Sequence, residues 1–165
     1  MSWRPSAWDL LRFLLVVALA CLDASLLPRL GGALPDLVLV VVVAAAMLRG
    51  PTSGALVGLL AGWVVDLVPP AGHPLGATAL VYAAAAALSG LSRRWVTWSP
   101  LLPAVVTAAA AAVVELCVWL VTASRGGAFA WADAGWSVLF TTVVGALAVP
   151  ALLRLERALV RRRWA

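Results

Sequence analysis

Six apolar stretches follow one another between residues 10 and 155, and the segments joining them are so short that hydrocarbon, rather than water, must surround most of the chain. In a bilayer every backbone N–H and C=O has to be satisfied inside the protein. A sequence without the alternating polarity of barrel strands therefore crosses as helices. Charged residues are only 12% of the chain and hydrophobic ones 64%, against roughly 25% charged in an ordinary soluble domain. The expected fold class is all-α, a polytopic membrane protein with six transmembrane helices. Each crossing uses about 20 residues, so 165 residues form a single integral membrane domain with almost nothing left over. The first apolar run is read as a retained span, because further apolar runs follow it where a cleaved leader would give way to soluble sequence.

Turn residues set the boundaries. Span 1 covers 10–27 and stops at Pro28, before Arg29, Gly31 and Gly32. Pro35 is expected in the first turn of span 2, 36–48, a Val-rich run. Arg49, Gly50 and Pro51 make a tight connection into span 3, 54–68, which Pro69 and Pro70 end. Spans 2 and 3 are short for a roughly 30 Å hydrocarbon layer, and a re-entrant hairpin is the alternative to two full crossings. Span 4 covers 75–91 and is Ala-rich, span 5 covers 101–121, and span 6 covers 136–155 with a kink expected at Pro150.

All twelve basic residues are arginines. Arg4, Arg12, Arg49, Arg93, Arg94, Arg154, Arg157, Arg161, Arg162 and Arg163 fall on one predicted side, and only Arg29 and Arg125 on the other. Such asymmetry orients a bundle with both termini in the cytoplasm. Orientation, rather than nucleic-acid or lipid-headgroup binding, is the expected role of the C-terminal arginine cluster. Trp3, Trp8, Trp95, Trp98 and Trp164 are expected at the inner interface and Trp131 and Trp136 at the outer one, with Trp63 and Trp119 packed within spans.

The sharpest local pattern is in span 3, where Gly54, Gly58, Gly62 and Asp66 recur every four residues on one helix stripe. Lipid supplies no hydrophobic reason for helices to associate, so small residues that let backbones approach mark a packing seam. Its occupant is either an internal neighbour, such as span 1 or span 4, or a separate protein. Asp66 sits at the negative end of its own helix dipole and needs compensation, for which Arg29, Arg125 and the amides opening span 4 near Gly76 are the candidates. Asp36, at the start of span 2, lies where the dipole favours an anion, and helix capping is its expected role. Asp23 and Glu115 lie deeper with no cation at matching depth, which favours their neutral forms. An intramembrane acid is a functional suspect by default, so a proton or substrate path stays open beside the preferred hydrogen-bonded packing role.

Catalytic chemistry is not indicated. The sole histidine, His73, lies between Gly72 and Pro74 in an outer turn. The run from Gly50 to Gly54 lacks the spacing of an intramembrane serine-protease motif, and no phosphate-binding loop occurs. One His with two separated cysteines, Cys21 and Cys117, is too few ligands for a metal and gives no disulfide framework. No catalytic residue, cofactor or metal is expected.

The run RGPTSGALVGLLAGWVVDL at 49–67, preceded by PDLVLVVVV from Pro35 and followed by PLGATAL from Pro74, resembles the MreD family of rod shape-determining membrane proteins. Span number, length and basic tail extend the resemblance over nearly the whole chain. Pro35, Asp36, Arg49, Gly50, Gly54, Gly58, Gly62, Asp66 and Gly76 match the family pattern. The resemblance implies a non-enzymatic scaffold subunit of the bacterial elongation complex in the cytoplasmic membrane. MreC would be its direct partner, with the RodA glycosyltransferase, a class B penicillin-binding transpeptidase and the MreB cytoskeleton in the same machinery. The family is also distantly similar to the substrate-binding subunits of energy-coupling-factor vitamin transporters, which implies their six-helix fold and supplies a rival function. Ala20 and Ala24 give the small-residue spacing by which those subunits dock, but the outer loops offer few groups for a vitamin beyond Arg29, His73, Arg125, Trp131 and Asp133.

Overall fold

The computed structural model describes residues 14–22, 34–68, 76–95 and 101–162, with side chains up to Arg154. All regular structure among them is helical: α1 (14–22), α2 (Leu37–Arg49), α3 (Pro51–Leu67), α4 (Ala77–Leu91), a one-turn 3-10 helix (Ser92–Trp95), α5 (Leu102–Ser124) and α6 (Trp131–Arg162).

Local chemistry explains the helix ends. Pro35 lies just outside α2 rather than in its first turn, and Asp36 is the N-cap, its side chain accepting from the Leu39 N–H. Gly50 adopts φ +93°, a backbone that disfavours side chains, and turns the chain from α2 into α3. Pro51 then takes the first helical position, where its missing N–H and fixed φ cost nothing, so α3 begins three residues before the start expected from the turn residues. α6 likewise starts at Trp131, about a turn before its expected boundary, and continues through Pro150 to Arg162.

α2 occupies the centre. It is buried continuously from Val38 to Met47 apart from the partly buried Val41. Thirteen residues rise about 20 Å, less than the roughly 30 Å of a hydrocarbon layer, and the helix is buried among longer ones. Packing also overrides the modest helix reluctance of its β-branched run. Around α2 stand two antiparallel hairpins, α3 with α4, which make the most extensive contact in the fold, and α5 with α6. Val16 and Ala20 of α1 join the same core.

Two helices, Leu102–Ser124 and the Trp131–Arg154 part of α6, are long and apolar enough to cross a membrane. Only 17% and 22% of their apolar windows are buried, the reverse of a soluble core helix. The face of α3 opposite its glycines carries Leu56, Leu60, Trp63 and Leu67, all exposed. Trp63, expected to pack inside, is 57% exposed, because Gly62 and Asp66 take the buried side of its turn.

Candidate functional site

The glycine stripe of α3 is filled by the chain's own α2 and α4. A Cβ on Gly54 would lie 2.7 Å from the Ala46 Cβ and 3.1 Å from the Ala86 carbonyl oxygen. On Gly58 it would come 2.4 Å from the Tyr82 carbonyl oxygen, and on Gly62 2.4 Å from the Ala79 Cα. α4 reciprocates with Gly90, where a Cβ would sit 2.6 Å from Pro51. Backbone meets backbone along the whole seam, the close approach that only small residues permit. α4 lies where a separate protein would otherwise meet this stripe.

Asp66 ends the stripe and joins the two helices electrostatically. Its Oδ2 accepts from the Gly76 N–H at 2.8 Å and the Ala79 N–H at 3.4 Å. Gly76 is the N-cap of α4, with φ +91° and no side chain to cap with, so a carboxylate from the preceding helix supplies the missing acceptor. The anion that is misplaced at the C-terminal end of α3 is well placed at the positive end of α4. Of the candidate partners for Asp66, Arg29 lies outside the described residues, and the α4 amides are the groups it meets.

Asp36 does more than cap. Oδ1 accepts from Leu39 at 2.8 Å, Oδ2 accepts from the Tyr82 hydroxyl, and the Asp36 N–H donates to Thr141 Oγ1 at 2.9 Å. Tyr82 is buried on α4 and Thr141 fully buried on α6, so one residue ties α2 to both flanking hairpins. Sequence reasoning missed Tyr82 and Thr141. The available signal was the only tyrosine of the chain standing in an alanine run. Glu115, half-buried on α5, lies within electrostatic range of Asp36. Asp23 and His73 lie outside the described residues.

At the other end of α2, Arg93 of the 3-10 turn reaches back over the α2–α3 connection, its Nη1 3.5 Å from the Arg49 carbonyl oxygen and close to Gly50. Arg94 stacks on Trp95 with 4.4 Å to the ring centroid. At the α5–α6 turn Trp119, Phe129 and Trp131 form an aromatic cluster, with Phe129 edge-on to Trp131 at 4.8 Å. A crevice of about 120 Å³ opens between α4 and α5, lined by Ala85, Leu88, Ser89, Val106, Ala109, Ala110 and Val113.

The candidate residues thus fall into two polar locks and one glycine seam, all binding helix to helix. Cys21 and Cys117 are free thiols, and the described residues contain no group of His, Cys, Asp or Glu arranged to hold a metal. Fold and site together define an all-helical chain with two helices able to cross a membrane and a small-residue packing core. No family model, curated protein or solved structure matches the chain.

Proposed function

We propose that this chain is an MreD-like scaffold subunit of the bacterial cell-elongation complex. It would lie in the cytoplasmic membrane with six crossings and both termini inside, bind MreC directly and turn over no substrate. RodA, a class B penicillin-binding transpeptidase and MreB would be associated through the same assembly. The observation that carries this reading is the fate of the 49–67 block. Gly50, Gly54, Gly58, Gly62 and Asp66 are all used for turns, backbone approach and helix capping, which is the use a scaffold makes of such a motif. Orientation rests on the arginines. Arg93 sits beside Arg49, and α6, level with α2 at Asp36 and Thr141, brings Arg154 toward the same end one helix length later.

The rival vitamin-binding reading has less support from the sequence, whose outer loops offer few polar or aromatic groups for such a ligand, and the described α4–α5 crevice of about 120 Å³ is itself below the roughly 300–1,000 Å³ of small-molecule sites. Coexpression of the full chain with tagged MreC, followed by purification in detergent, tests the proposal. Capture in near-equal amounts is expected. A chain that fails to copurify with MreC, or that retains a vitamin through purification, overturns it.

A further inference from the structure

The end of the bundle where α2 finishes carries a concentration of positive charge that the helix contacts do not use up. Arg93 makes one weak hydrogen bond, at 3.5 Å, to the Arg49 carbonyl, out of the five N–H donors of a guanidinium. Arg94 is held over the Trp95 ring, and both arginine side chains are exposed. The four acids whose side chains are described do not offset them. Asp36 and Asp66 are committed near the opposite helix ends, Glu115 lies in the far half of α5, and Asp133 opens α6 at the other side. A short turn therefore presents two guanidinium groups and an indole at one end of the bundle, a combination that suits the depth at which such rings settle in a bilayer.

The α4–α5 crevice begins on the same helix that the turn ends, toward the same end of the bundle. Leu88 and Ser89 precede Arg93 by about one helical turn, roughly 6–8 Å along the axis. On α5 the crevice runs over Val106, Ala109, Ala110 and Val113, in the half of that helix nearest the same end. Its wall is apolar, because the Ser89 hydroxyl is already donated to the Ala85 carbonyl at 2.7 Å. Small side chains make the furrow, and exposed Leu88 forms its lip.

We infer that this end binds one anionic phospholipid of the adjoining leaflet, its phosphate on Arg93 and Arg94 and one acyl chain in the α4–α5 crevice. Guanidinium forks match phosphate oxygens in pairs, and the crevice gives the methylene chain dispersion contacts that disordered neighbouring lipid does not. The inference needs the chain to reside in a membrane but is independent of whether MreC is its partner.

Thermal unfolding and native mass spectrometry of the purified full chain test it, with added phosphatidylglycerol, phosphatidylcholine of the same chains, or glycerol phosphate alone. Phosphatidylglycerol is expected to be retained and to raise the unfolding temperature, while the other two do neither. The double variant R93Q/R94Q should weaken retention about tenfold. A109F, which fills the crevice from an exposed position, should weaken it without lowering the unfolding temperature of the lipid-free protein. R125Q removes a charge at the far end and should leave retention unchanged. Equal stabilisation by phosphatidylcholine, binding of glycerol phosphate alone, or unchanged retention in either R93Q/R94Q or A109F overturns the inference. A dimer that forms in wild type and is abolished by A109F also overturns it, by assigning the crevice to a second copy.

Discussion

The Asp66 carboxylate accepts a hydrogen bond from the Gly76 N–H at 2.8 Å, so the last turn of α3 caps the first turn of α4. Both residues are needed because each lacks what the other supplies. Gly76 provides the left-handed backbone that starts α4 but has no capping side chain. Asp66 provides the acceptor but stands at the wrong end of its own helix. Asp66→Ala is expected to destabilise the fold by about 1 kcal/mol, the usual cost of losing an N-cap. Asp66→Asn, which keeps a carbonyl acceptor, should lose less. Thermal unfolding of the purified protein in detergent ranks the variants, and equal stability of Asp66→Ala and wild type would show that the cap contributes nothing.

Glycines in this chain divide by what surrounds them. Gly58→Ala places a methyl 2.4 Å from the Tyr82 carbonyl oxygen, which forces α3 and α4 apart at a cost of about 1–3 kcal/mol. Gly135 lies inside α6, and a Cβ added there would meet nothing within 4 Å. Gly135→Ala should therefore stabilise by about 0.5–1 kcal/mol through helix propensity. Opposite signs in the same unfolding assay are the expected result.

The contact among Asp36, Tyr82 and Thr141 joins three helices, so its energies should not add. Tyr82→Phe leaves a partly buried carboxylate oxygen without its phenol donor, and a loss of about 1–3 kcal/mol is expected. In a double-mutant cycle with Asp36→Ala, the coupling should be at least about 0.5 kcal/mol. Strict additivity would mean that the hydroxyl and the carboxylate do not stabilise each other.

A second close approach holds the other hairpin. A Cβ on Gly145 would meet Thr107 Cγ2 at 2.4 Å, and Thr107 Oγ1 already donates to the Pro103 carbonyl at 2.7 Å. Gly145→Ala should destabilise by about 1–3 kcal/mol. Adding Thr107→Ser removes the obstructing methyl while keeping the hydroxyl, and part of the stability should return.

Sequence alone determined the helical class, the α2–α3 turn at Gly50 and the capping role of Asp36, since each follows from local rules: hydrocarbon compatibility, Gly-Pro turn chemistry and the helix dipole act within a few residues. The four-residue spacing of Gly54, Gly58 and Gly62 likewise announced a face made for close approach. Only the tertiary structure decided what fills that face, because the periodicity of α3 says nothing about which helix lies across from it. The same holds for the outward turn of Trp63 and for the meeting of Asp36 with Tyr82 and Thr141, residues 46 and 105 positions away. Such contacts depend on how separate helices are rotated about their axes, and that rotation is set by the packing of all of them together.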